Sequence, residues 1–149
     1  MASVAPVGLQ EGASLVCPSE VPRFADYPAE VFDGPPRWPV VHLGADSLDM
    51  GRRSDYSLAY SMDHRPDFAG HLRVVESGCG SPCQVQTLVD VRTGEVVGST
   101  VTSLGASYRL ESRLFVANPP DSTGCYEAGI AYGKPSYWAW NGTALDSVK

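Results

Sequence analysis

Cys79 and Cys83, four residues apart, and His71, eight residues upstream of the first of them, are the residue types in this chain best suited to chemistry. A cysteine beside an imidazole can act as a nucleophile. Two cysteines can share a metal, and two cysteines across a turn can form a disulfide. The intervening Gly80-Ser81-Pro82 favours the third outcome, because these residues fold the backbone back and bring the two sulfurs within bonding reach. A zinc site would need two further convergent ligands, and no other Cys/His pair has ligand spacing. The four cysteines allow three pairings. The short Cys79/Cys83 spacing selects that pair, which leaves Cys17 to join Cys125 and clamp the N-terminal segment.

Gly78-Cys79-Gly80-Ser81-Pro82-Cys83 superficially resembles the nucleophile region of papain-like proteases, in which the reactive cysteine opens a helix. Here Gln84-Val85-Gln86-Thr87-Leu88-Val89-Asp90-Val91 alternates and is rich in β-branched residues, a strand pattern. All three histidines, His42, His64 and His71, lie upstream of the cysteines, the reverse of the papain order. The sequence therefore carries no catalytic constellation, and a structural histidine is the expected role for His71. Asp46, Asp49, Asp63 and Asp67 are scattered without a calcium-loop pattern, and no cofactor motif is present.

The elements that must hold these residues are short. A chain of 149 residues with 15 Gly and 12 Pro has frequent turns and little room for long helices, while 43% hydrophobic residues suffice for one core. We expect one all-β antiparallel domain over residues 1–149, a sandwich or a partial propeller-like stack, with an extended Pro-rich arm over 1–40 and the main β region over 66–149. Segments 70–76 and 84–91 read as strands joined by the cysteine turn, and Arg92-Thr93-Gly94 reads as the next hairpin turn. Tyr108–Leu110 and Arg113–Ala117 alternate in the same way. Cys125–Tyr132 and Tyr137–Trp140 are expected to pair around Gly133-Lys134-Pro135, and Asn141-Gly142 to make a tight turn into 143–148. Residues 45–62, with Leu48, Tyr56, Leu58 and Tyr60, fit either a short helix or a strand edge.

A formal net charge of −6 and a pI near 4.9 argue against a nucleic-acid partner and suit a basic protein partner. No apolar run reaches the roughly 20 residues needed for a membrane span. An even cysteine count in a chain of this size implies an oxidising compartment. The opening Met1-Ala2-Ser3-Val4-Ala5-Pro6 has no charged or apolar leader, so the expectation is a periplasmic protein whose signal peptide preceded this sequence and has been removed.

Phe68-Ala69-Gly70-His71-Leu72-Arg73-Val74, the Gly78-Cys79-Gly80 to Cys83-Gln84 run, Thr93-Gly94 with Val96, Tyr108 to Leu114, Asn118-Pro119 and Trp140-Asn141-Gly142 occur in order over residues 66–143. Together they resemble a group of small exported bacterial β-proteins, a likeness that carries no catalytic residues. In size, export and disulfides the chain is also similar to periplasmic immunity proteins that protect a bacterium from type VI secreted peptidoglycan amidases. That resemblance implies an enzyme inhibitor whose partner is a cell-wall amidase, not an enzyme.

The segment 98–107, Gly98-Ser99-Thr100-Val101-Thr102-Ser103-Leu104-Gly105-Ala106-Ser107, is made largely of small and hydroxyl-bearing residues. Such a loop can enter a narrow cleft, which makes Ser99, Thr102, Ser103 and Gly105 the candidate partner contacts. A strand of alternating Thr and Val is the competing reading. Tyr126, Tyr132, Tyr137, Trp138 and Trp140 could form a sugar-stacking or protein-contact patch, with about half of them in the core. Arg109 and Arg113 with Glu111 could clamp an anion, although a cross-strand ion pair is the ordinary outcome. Asn141-Gly142-Thr143 matches a glycosylation sequon, which a hairpin turn also explains.

Overall fold

The structure, a computed structural model, describes residues 14–39, 60, 63–129 and 133–148. In chain order it forms β1 (Leu15–Val16), a 3-10 turn (Phe24–Asp26), β2 (Leu72–Gly78), β3 (Gln84–Asp90), β4 (Glu95–Thr102), β5 (Ala106–Tyr108), β6 (Leu114–Ala117), β7 (Tyr126–Glu127), β8 (Ser136–Trp140) and β9 (Leu145–Val148). The protein is nearly all-β. Its strands make three antiparallel sheets, ordered β2-β3-β4, β5-β6-β8-β9 and β1-β7.

The two larger sheets form a sandwich, because alternation sends one face of each inward. Leu72, Val74 and Leu88 from the first meet Phe115, Ala117 and Trp140 from the second, with Phe68 at the centre of the cluster. Phe68 packs edge-on to Phe115 and Tyr108, with centroids 5.5 and 6.1 Å away. The opposite face of β2 and β3 supplies Val75 and Val89, which pack with Val91 just beyond β3 and with Tyr60 and Phe32 as a second, smaller cluster. Tyr60 is fully buried there, and its hydroxyl donates to the Arg37 carbonyl at 2.8 Å.

The proline-rich segment is an extended arm laid across this scaffold. It is tied by Ala29 N–H to the Glu111 carbonyl (2.9 Å), Phe32 N–H to the Gly70 carbonyl (2.9 Å) and Arg37 N–H to the Val91 carbonyl (2.8 Å). It crosses the scaffold at two glycines. A Cβ at Gly70 would collide with the Glu30 carbonyl and one at Gly94 with the Trp38 carbonyl, and both glycines hold φ of +79°. Ser112 Oγ, 1% exposed at residue level, lies 2.8 and 3.0 Å from the carbonyls of Phe24 and Tyr27 and accepts the Leu114 N–H.

Both expected disulfides form, Cys17–Cys125 and Cys79–Cys83. The C-terminal pairings depart from the sequence reading. β7 pairs with β1, while β8 lies between β6 and β9. Two-residue strands show no periodicity, so their partner is chosen by the Cys17–Cys125 bond beside them. The β8–β9 connection is also longer than a tight turn: Asn141 Oδ1 accepts the N–H groups of Thr143 and Ala144, organising a four-residue loop from Asn141 to Ala144. Leu48, Tyr56, Leu58, His42, Asp46, Asp49 and Tyr132 lie outside the described residues.

Candidate functional site

The segment 98–107 divides into strand, turn and strand. β4 runs through Ser99 to Thr102, Ser103 to Gly105 turn, and β5 begins at Ala106. Alternation places Gln84, Gln86 and Thr102 on the inward face of their sheet, where apolar side chains would be expected. They form a polar network. Gln86 Nε2 donates to Thr102 Oγ1 (3.1 Å), and Thr102 Oγ1 donates to Gln84 Oε1 (3.0 Å). Gln84 Oε1 also accepts the Gly105 N–H at 3.0 Å, while Gln84 Nε2 donates to the Ser103 carbonyl at 3.3 Å.

Asn118 holds the turn from the other side. Its Oδ1 accepts both the Ser103 and the Leu104 N–H groups at 2.8 Å, and its own N–H donates to the Gly105 carbonyl at 2.9 Å. Asn118 sits at φ 53°, a conformation that asparagine tolerates better than most residues. Three consecutive N–H groups of the turn are thereby fixed by two side-chain amides. Leu104 projects from it 48% exposed, and Val101 precedes it 62% exposed.

The candidate contacts are therefore redistributed. Thr102, 1% exposed, supports the turn from inside and cannot be a surface contact, correcting the reading of 98–107 as one exposed loop. Ser99 is exposed on β4 and separate from the turn, whereas Ser103 and Gly105 lie within it. Leu104, which is not among the contacts expected from the sequence, is the turn's most exposed side chain. Leu15, Pro119, Pro120 and Tyr126 line a depression of about 270 Å³ beside Leu104, with Asp121 and Glu127 on it as acidic groups.

The cysteine and histidine that could have formed a dyad are kept apart. All four cysteines are oxidised, and Cys79 and Cys83 close the β2–β3 hairpin. His71 lies at the other end of β2, seven strand residues away, a separation of roughly 20 Å at about 3.3 Å per residue. Burial and then the nearby Arg92 charge push the His71 pKa down, against the opposing pull of Asp90, and its Nε2 is buried without a partner. His71 is one wall of a cleft of about 580 Å³, together with the arm residues Glu30 to Asp33, Arg92, Arg113 and Trp140.

Arg109 and Arg113 make no ion pair with Glu111 among the described residues. Arg109 stacks 4.5 Å above Phe24; Arg113 lies 5.8 Å from the Tyr27 ring and donates to the carbonyls of Pro28 (3.2 Å) and Trp140 (3.0 Å). Both arginines fasten the arm, a role invisible in local alternation because their partners lie about 85 residues away in sequence. Among the described residues, the C-terminal aromatics do not assemble into a flat platform either. Trp140 is 3% exposed, Trp138 packs against the main core with Nε1 donating to Ser136 Oγ at 3.0 Å, and Tyr137 neighbours Tyr126.

Asp67 closes the outer edge of β2. Its Oδ1 accepts the Val74 N–H at 2.9 Å, its Oδ2 lies 3.3 Å from Arg73, and the backbone N–H groups of Asp67 and Phe68 both reach the Leu72 carbonyl. Burial lifts the Asp67 pKa to about 6, outweighing the Val74 N–H and the Arg73 charge. A folded pKa above the unfolded value near 3.9 gives stability that is full below that value and lost as pH rises through 6. The Asp67 contribution to unfolding free energy should thus fall between about pH 3 and pH 7, by up to about 3 kcal/mol in all. His71, with its lowered pKa, works in the opposite direction, costing stability as pH falls below about 6.5. Urea titrations across this range should show the acid-side gain in the wild type and its loss in Asp67→Asn. A carboxyl titration of Asp67 by NMR with a midpoint below 4 would contradict it.

No known protein family, no curated protein and no solved structure matches this chain. Among the described residues, no helix is long and apolar enough to cross a membrane, and no group of three or more His, Cys, Asp or Glu is arranged to hold a metal ion. The two disulfides are compatible with an oxidising compartment.

Proposed function

We propose that this protein is a non-catalytic inhibitor of the immunity type, acting in the periplasm, that blocks a secreted peptidoglycan amidase by seating its Ser103–Gly105 turn in the enzyme's cleft. The observation that carries this reading is the fixed turn. Gln84 and Asn118 bind its backbone on both sides, so Leu104 is presented in one geometry before any partner arrives. Ordering a loop costs free energy on association, and a turn already ordered in the free protein avoids that cost. Leu104 supplies an apolar anchor, with Ser103 and Gly105 small enough to follow it into a narrow groove. Asp121 and Glu127 beside the anchor, and a net charge of −6, favour a partner with a basic rim.

The non-catalytic half of the proposal is tested by turnover. The pure protein should release no fragments from peptidoglycan or from cell-wall peptides, and Cys79→Ser should change stability alone, because no base is placed to activate that sulfur. Hydrolysis that is lost in Cys79→Ser and kept in Cys125→Ser would restore a cysteine hydrolase in its place.

A further inference from the structure

The arm and the sandwich meet along the cleft of about 580 Å³ that His71 lines, a volume within the range of roughly 300 to 1,000 Å³ that small-molecule sites occupy. Its two sides bring opposite charges. Glu30 and Asp33 line it from the arm, and Arg92 and Arg113 line it from the sandwich. The lining is therefore balanced in charge although the chain as a whole carries −6, and Val31 and Phe32 give it apolar surface as well.

The cationic side is fixed before any ligand arrives. Arg113 donates from Nε to the Pro28 carbonyl (3.2 Å) and from Nη1 to the Trp140 carbonyl (3.0 Å), partners that hold the guanidinium without neutralising it. Arg92 is held by Asp90, Nε to Oδ1 at 3.0 Å and Nη2 to Oδ2 at 2.8 Å. Each arginine thus keeps one terminal nitrogen, Nη2 of Arg113 and Nη1 of Arg92, outside these bonds. Two more residues of the same lining carry a buried polar atom with no hydrogen-bond partner among the described residues, His71 at Nε2 and Trp140 at Nε1. An indole N–H only donates, and a charged imidazole donates from both nitrogens, so an acceptor such as a carboxylate suits them both.

We propose that this cleft is a binding site for a small zwitterion, an amino acid or a short peptide with both ends free. The ligand's carboxylate lies against Arg113 and Arg92, a charge-assisted contact of the kind guanidinium groups make best. Its ammonium group meets Glu30 and Asp33, and its side chains rest on Val31 and Phe32. An anion alone, or a peptide with either end blocked, satisfies only one side. The lining shares no residue with the Ser103–Gly105 turn or with the depression beside it, so the site stands whether or not that turn inhibits a hydrolase.

The test titrates trialanine with free ends into isotopically labelled protein at neutral pH. Amide shifts should concentrate at Glu30 to Asp33, His71 and Asn141 to Gly142, and the His71 pKa should rise on saturation because a nearby carboxylate favours the charged imidazole. N-acetylated trialanine and trialanine amide should each bind at least tenfold more weakly. Glu30→Gln combined with Asp33→Asn should melt as wild type does, since both residues are exposed, and should bind trialanine and its N-acetylated form within twofold of one another. Arg113→Gln should lose the preference for the free carboxylate over the amide. If that variant fails to fold, because Arg113 also ties the arm, the three peptides compared on the wild type decide alone. Leu104→Asp should bind trialanine as wild type does. Equal affinity for the three peptides would overturn the proposal, as would acetate binding as tightly as trialanine, shifts that bypass the cleft, or a His71 pKa that does not move.

Discussion

Replacing Cys17 and Cys125 together by serine should lower the unfolding free energy by about 4 to 5 kcal/mol, the largest stability loss expected from any pair of side chains here. The bond joins residues 108 apart, and closing so long a loop removes much of the entropy of the unfolded chain. Among the described residues, little else does the same work locally beyond the Ala128 N–H bond to the Ser14 carbonyl at 3.0 Å. β1 meets β7 through two residue pairs only, Leu15 with Glu127 and Val16 with Tyr126. The arm beyond the 3-10 turn keeps its own attachments at Ser112, Gly70 and Val91, so the variant should fold but unfold at much lower urea. Replacing Cys79 and Cys83 should cost about 2 kcal/mol, because a separation of four residues confines the unfolded chain far less. Urea denaturation of the two double variants measures both values. Equal losses would show that loop-closure entropy does not govern them.

The parts of the fold that were legible in the sequence are those governed by nearest neighbours. Alternation in Gln84–Asp90 with turn residues at both ends defines two consecutive hairpins, and Gly-Ser-Pro between cysteines defines their bond. The supporting network of the turn was less visible, although a trace of it can be read. Gln84 and Gln86 fall on the same face of β3 as Leu88, and two amides on an inward face need partners that strand periodicity does not name. Thr102 was misplaced because threonine suits either face of a strand, and only Gln84 and Gln86 opposite it select the interior. The arm contacts of Arg109, Arg113 and Ser112 join residues about 85 to 88 apart, which no local pattern encodes. The pairing of β1 with β7 has the same origin.

Leu104→Asp should weaken inhibition of the target amidase by at least thirtyfold, the loss expected when a buried interface anchor worth about 2 kcal/mol or more is removed and a charge put in its place. Ser103→Arg should weaken inhibition comparably, since a long side chain in a filled groove produces overlap that repacking relieves poorly. Neither change should disturb the fold. Leu104 is 48% exposed, and its fixed contact with the scaffold is the backbone N–H held by Asn118, which both variants retain. Asn118→Ala should weaken inhibition with Leu104 still present, because it releases the N–H groups of Ser103 and Leu104 and restores the ordering cost on binding. The most direct measurement is a titration of secreted cell-wall amidases with the wild-type protein and with Leu104→Asp, read alongside the thermal melting of both. The account predicts stoichiometric inhibition of a cognate amidase by the wild type, a loss of at least thirtyfold in the variant, and superimposable melting curves. Inhibition that survives Leu104→Asp and Ser103→Arg unchanged would contradict it, as would a protein that inhibits none of these enzymes.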